Sequence, residues 1–460
     1  MKPPATPPRM GGGISSAHAP DLDIPARFMA LAMIGILTTA AIGPWAYPLL
    51  LESFYAPKLL AFVHLNTLGI IAPLIVGASY QLVPVVLQEP LAAPKVARLS
   101  FWVYLAGVLL FLPSLVETWQ PGLSIGGALA FTALIMYTGV VWRTLARAPE
   151  RGVVRWHIVA ALTGLPAGVL AGLLLALNKT TGFLEVHTLS LLATHATLMI
   201  VCWVTPLLFG VAYRLVGMFT LTEDRLWRRV AWAELACTVL GGWLLAGSLL
   251  LYRERVVLVF AALAILAGQV LFLIQLAHLY HARRRRVIDV HIPFALTSAT
   301  MGVAAALALA LGMLRSAGPL DSLWVVAVWL ALAGLAISAI QGFFYKIATF
   351  LVWLNRYAPV AGRSKVPRLE ELYSLRLARV GWAAWLSALV VTVGGVLWQA
   401  PGLATAGGVL AAAGLGCFLG NVVRIASHWQ SGVSTRVLGR FRRMGREPIG
   451  ERAVHVGTGE

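Results

Sequence analysis

Charge is what this chain has least of. Only 12% of its 460 residues are charged, 59% are hydrophobic, and the mean hydropathy is +0.82. A soluble domain of this length needs a charged surface, so the composition excludes that class and points to a polytopic membrane protein. Acid is scarcer still, with 18 Asp and Glu against 36 Lys and Arg. Cysteine is nearly absent. Cys202, Cys237 and Cys417 all fall in apolar stretches and read as small buried hydrophobes, which excludes a disulfide framework or a cysteine metal knot. Residues 1–26, rich in Pro, Gly and Ala, lack the apolar core of a signal peptide and are expected to form a disordered tail.

The net charge of +18 invites a nucleic-acid reading, but its distribution argues against one. Basic residues gather in alternate loops: Arg143 to Arg155, Arg214 to Arg229, Arg283 to Arg286, Arg356 to Arg379, and the tail from Arg436 to Arg452. The loops between are short and nearly neutral. This is the positive-inside pattern of an inner-membrane protein with both termini cytoplasmic, and it suits anionic lipid headgroups.

A span needs roughly 20 apolar residues. Twelve are expected: 28–50, 59–83, 99–118, 123–144, 156–178, 187–213, 229–251, 256–280, 291–314, 323–351, 377–398 and 402–424. They fill a membrane domain from 27 to 424, followed by a basic cytoplasmic tail, 425–460.

One stencil recurs. Gly77-Ala78-Ser79-Tyr80-Gln81-Leu82-Val83, Gly210-Val211-Ala212-Tyr213-Arg214-Leu215-Val216 and Gly342-Phe343-Phe344-Tyr345-Lys346-Ile347-Ala348 lie 133 and 132 residues apart. Each interval holds four spans. Self-similarity at fixed period implies repeats, so the expected fold is all-α, with twelve transmembrane helices in three pseudo-threefold four-helix repeats. The glycines allow close helix approach. The tyrosines are expected at a membrane interface with their hydroxyls in water.

An ionisable residue inside a span suggests function. His64 lies in span 2 near its outer end. His187 and His195 lie on span 6, eight residues and roughly 12 Å apart along the axis. His64 precedes its stencil tyrosine by 16 residues and His195 by 18, so the two are expected at similar depth on equivalent helices. Imidazoles there suit axial ligation of haem iron. The plainer alternative is a buried histidine bonded to a neighbouring carbonyl or hydroxyl. His278, His281, His291 and Asp289 form a second group on the inner face, without zinc-like spacing and beside repelling arginines. His157 and His428 read as interfacial.

The twelve spans, the topology, the period and the segment Val63-His64-Leu65-Asn66-Thr67-Leu68-Gly69 resemble subunit I of the haem–copper oxidase superfamily, especially the cbb3-type and nitric oxide reductase branches. The chain is also similar to short oxidase-like membrane proteins with Gly-x-x-Tyr-basic-Leu-Val-Pro-type endings, and Phe350-Leu351-Val352-Trp353-Leu354-Asn355-Arg356-Tyr357 fits that group. The resemblance implies a low-spin haem, b-type, at His64, and places His195 in the region of a copper ligand. The remaining ligands are missing. No histidine occurs between His195 and His278 or between His291 and His428, so spans 7 and 10 lack those of the family. One imidazole does not make a three-nitrogen copper site, and copper is not expected. What remains is a haem held by His64 with His195 or His187, or a scaffold without cofactors.

Glu234, in span 7, is a candidate point of proton uptake, or else a snorkelling carboxylate paired with Arg228 or Arg229. Glu185 is placed to accept a hydrogen bond from His187. Gln81, Gln275 and Gln341 are expected to bond between helices. The leading function is a membrane haem protein for electron transfer or O2/NO binding, served by a cytochrome c-type donor or other respiratory subunits. The alternatives are a cofactor-free accessory or assembly subunit and, with less support, a transporter. A threefold repeat with little midplane charge differs from the usual transporter plan.

Overall fold

The computed structural model describes residues 18–184, 187–251, 254–284, 289–315, 321–362 and 364–430. The expected tail beyond 430, most of the N-terminal one, Glu185, Arg285 and Arg286 fall outside these. Twelve helices among the described residues are long and apolar enough to cross a membrane. They are α1 (Asp23–Leu51), α2 (Pro57–Leu87), α3 (Pro94–Val116), α4 (Gln120–Arg147), α5 (Val153–Thr181) and α6 (Thr188–Thr220). There follow α7 (Arg228–Leu251), α8 (Arg255–His281), α9 (His291–Leu314), α10 (Ser322–Arg356), α11 (Leu375–Leu397) and α12 (Pro401–Trp429). The chain is a multi-pass, all-α membrane protein, and no strand occurs among the described residues.

Every expected span is present, but several run longer. α2 ends at Leu87, α6 at Thr220, α10 at Arg356 and α12 at Trp429. A helix satisfies its own backbone and continues beyond its apolar core into the interface, in α6 past Arg214 and in α12 past Arg424. α1 begins at Asp23, inside the segment expected to be disordered. Pro25 does not prevent this, because a first-turn residue has no intrahelical N–H bond to lose.

Packing follows a fixed order. α3 lies along α4, α7 along α8 and α11 along α12. α4 meets α5, α8 meets α9, and α12 returns to α1, which closes a ring. α1, α5 and α9 pack on α2, α6 and α10 respectively. Those last three are the innermost helices: 61%, 72% and 72% of their apolar cores are buried, against at most 56% elsewhere. Large side chains on the outer helices, such as Trp45, Trp102 and Trp398, point outward, as lipid-facing residues do.

Each inner helix widens into a π-helical stretch: Thr67–Ile71 in α2, Leu198–Val204 in α6 and Leu330–Ile337 in α10. The stretch in α10 touches the other two. Wide turns leave carbonyls without their usual partners, and hydroxyls supply replacements. Tyr104 donates to Leu68 O at 2.6 Å, Thr205 to Ile200 O at 2.8 Å and Ser298 to Leu335 O at 2.7 Å.

The ring closes where backbones nearly touch. A Cβ on Gly408 of α12 would lie 2.4 Å from Gly43 O of α1. Gly408→Ile should therefore destabilise the bundle by about 1–3 kcal/mol through overpacking. Gly416→Ala, with nothing within 4 Å of the added methyl, should not. Thermal unfolding in detergent, read by size exclusion, distinguishes the two.

Candidate functional site

His64 of α2 and His195 of α6 come together inside the bundle. Their ring centres are 6.4 Å apart and their planes differ by 12°. Each precedes a π-helical stretch by three residues, which begins at Thr67 in α2 and at Leu198 in α6. That stretch has five residues in α2 and seven in α6, which absorbs the unequal distances to the two stencil tyrosines.

Both rings are held from behind. His64 Nδ1 bonds Leu60 O, one turn back on its own helix, at 2.8 Å. His195 Nδ1 bonds Gly168 O of α5 at 2.7 Å. A carbonyl only accepts, so this geometry assigns the proton to Nδ1 and leaves the lone pair on Nε2 in both rings. A buried structural histidine makes the same carbonyl bond. What distinguishes this site is the pairing. Two imidazoles sharing a metal, each nitrogen about 2 Å away, hold their centres roughly 6–6.5 Å apart. Metal-ligating histidines also tend to anchor their second nitrogen on a carbonyl or carboxylate.

The surroundings are apolar and close. Phe111 meets the His64 ring edge-on at 5.4 Å. A Cβ on Gly172 would stand 2.7 Å from His195 Cε1, so only glycine lets that ring lie against α5. Both histidines remain half-buried. A small cavity of about 10 Å³ lies elsewhere, by Phe209, Phe272, Ser298 and Phe343, and has room for one water at most. His187 is not part of the pair: it stands exposed at the head of α6.

Glu234 does not snorkel. It is fully buried, and its carboxylate is met by His157 Nε2 at 2.9 Å, Tyr213 Oη at 2.9 Å and Thr238 Oγ1 at 3.1 Å. His157, expected at the interface, is also fully buried, and its Nδ1 donates to Val153 O at 2.9 Å. Hydropathy gives depth but not direction around the axis, so Arg228 and Arg229 were the nearest partners in sequence and not in space.

The stencil tyrosines likewise keep their hydroxyls inside. Tyr80 bonds Ser100 at 3.0 Å, Tyr213 bonds Glu234, and Tyr345 accepts from Asn421 Nδ2 at 3.2 Å. The side-chain amide atoms of Gln275 and Gln341 find no partner among the described residues, contrary to the bonds expected of them. The inner-face histidines take separate aromatic partners. His278 stacks on Trp227 at 3.7 Å, and His291 lies edge-on to Phe219 at 5.6 Å. Among the described residues no three His, Cys, Asp or Glu converge as a metal-binding group.

Asp289 instead pairs with Lys346 of the third stencil, and Tyr373 donates to its carboxylate. All three are buried. Burial opposes ionisation of Asp289, but Lys346 and Tyr373 outweigh it and hold the carboxyl below the usual range. Burial and the Asp289 charge push the Tyr373 phenol up. The sequence grouped Asp289 with the inner-face histidines, whereas its actual partner is Lys346, an ammonium inside an apolar run.

No family model matches this chain, and no curated protein is similar to it.

Two outcomes follow. Glu234→Ala leaves His157 and Tyr213 without their acceptor and should cost about 3–5 kcal/mol of stability, as removal of one buried partner does. Glu234→Gln should cost less, and thermal unfolding compares them. Because the folded pKa of Asp289 is depressed, its contribution is complete above about pH 4 and is lost as pH falls through the folded value. Asp289→Asn should be less stable at neutral pH, and its stability should depend less on acid, as followed by melting between neutral pH and acid.

Proposed function

We propose that this chain is a membrane haem protein that holds one b-type haem between α2 and α6, with His64 and His195 as axial ligands. The observation that carries the reading is the ring pair, with nearly parallel imidazoles at a separation that suits one shared iron. Haem iron supplies one-electron transfer, and gas binding where an axial ligand yields.

The protein's own groups set the conditions. Leu60 O and Gly168 O fix the tautomers and orient both Nε2 atoms. Phe111 covers the edge of the His64 ring. The three cysteines are isolated, so no C-x-x-C-H attachment is available and the cofactor is held without covalent bonds. Without histidines on α7 and α10, no copper centre of the oxidase kind is part of this proposal.

The recurrence of contacts at four-helix intervals, the three π-helical stretches and the three stencils support a pseudo-threefold bundle of the oxidase subunit I type. Basic loops on the side of the termini support an inner-membrane topology with both ends cytoplasmic. The histidine pair then lies nearer the outer face, where a cytochrome c-type donor or another respiratory subunit reaches it. The missing ligands on α7 and α10 favour one second reading, a cofactor-free accessory subunit.

The test is haem content by pyridine haemochrome after expression with haem supplied. Wild-type protein should carry about one haem per chain with a sharp reduced α-band, as bis-histidine ligation gives. His64→Ala and His195→Ala should lose most of it while inserting normally, and His187→Ala should retain it. A haem-free wild type would leave the accessory reading standing. Full haem in both alanine variants would overturn the ligand assignment.

A further inference from the structure

Lys179 ends the face of α5 that backs the histidine pair. It lies seven residues beyond Gly172, the position against which the His195 ring packs. Seven residues are nearly two turns, which places Lys179 on the same face and about 10 Å nearer the side away from the termini. Lys179 is half-buried. Its ammonium sits 3.7 Å from the centre of the Tyr55 ring, over its face. It makes no ion pair among the described residues. Tyr55 belongs to the short connection before α2, so this contact joins the end of α5 to the start of the helix that carries His64.

A haem clasped by these histidines brings two carboxylates. Hydrocarbon excludes them, so they must face the nearer aqueous end, which for this pair is the end that carries Lys179. The other lysine there, Lys58, lies six residues before His64 and falls on a different side of α2.

We propose that Lys179, seated on Tyr55, is the cation that receives a haem propionate. The inference rests on the haem reading and adds a residue that fixes how the cofactor is turned. An aromatic face holds the ammonium in place without neutralising it, so the charge stays available to a carboxylate.

The experiment uses full-length protein carrying Lys179→Met, Lys179→Arg or Tyr55→Leu. Haem loss is followed by transfer to added apomyoglobin, and the midpoint potential by spectroelectrochemical titration. Lys179→Met should release haem about tenfold faster, the loss of one charge-assisted bond, and titrate at a lower potential because a cation beside the cofactor favours the reduced state. Lys179→Arg should restore both. Tyr55→Leu should move both readouts part of the way. Wild-type release and potential in Lys179→Met would overturn this inference alone. A haem-free wild-type protein would overturn the haem reading, and this inference with it.

Discussion

Hydrocarbon offers a polar atom no partner, so each polar group inside a span must be answered by another. The three inner helices show how far this constraint reaches. Their π-helical stretches free carbonyls in the middle of the bundle, and Tyr104, Thr205 and Ser298 supply the hydroxyls that answer them. The same rule fixes the histidines, whose Nδ1 atoms are committed to Leu60 O and Gly168 O. Once that proton is placed, Nε2 is the only lone pair each ring has to offer. The proposed ligand site is thus a by-product of satisfying the opposite side of each imidazole.

The two halves of the bundle divide their polar groups differently. Toward the termini, charge is buried and closed on itself. Glu234 is surrounded by His157, Tyr213 and Thr238, and Asp289 by Lys346 and Tyr373. These clusters tie helices distant in sequence, and neither leaves an acceptor open. Toward the other end the histidine pair is half-buried and lined by apolar side chains. The three inner helices also differ there. Three residues before the third π-helical stretch stands Ala327, where the other two helices carry His64 and His195.

Depth was legible in the sequence, and direction was not. Twelve spans followed from apolar length, and the similar depth of His64 and His195 followed from their distance to the repeated tyrosine. The mismatch of 16 against 18 residues made sense only once the stretches in α2 and α6 were seen to differ by two residues. Orientation around a helix axis depends on neighbours from elsewhere in the chain. That is why Glu234 was paired with adjacent arginines and not with His157, 77 residues away. It is also why the tyrosine hydroxyls were placed in water. Hydropathy scores a tyrosine by composition, and a buried hydroxyl with a good acceptor looks the same in sequence as an interfacial one.

The central claim is that His64 and His195 share one iron. Low-temperature electron paramagnetic resonance of the oxidised protein tests it most directly, because the line shape reports both ligands and the angle between their planes. With rings inclined by 12°, the account predicts a rhombic low-spin ferric signal. A high-spin signal, the strongly anisotropic low-spin signal of crossed imidazoles, or no haem signal at all would contradict it.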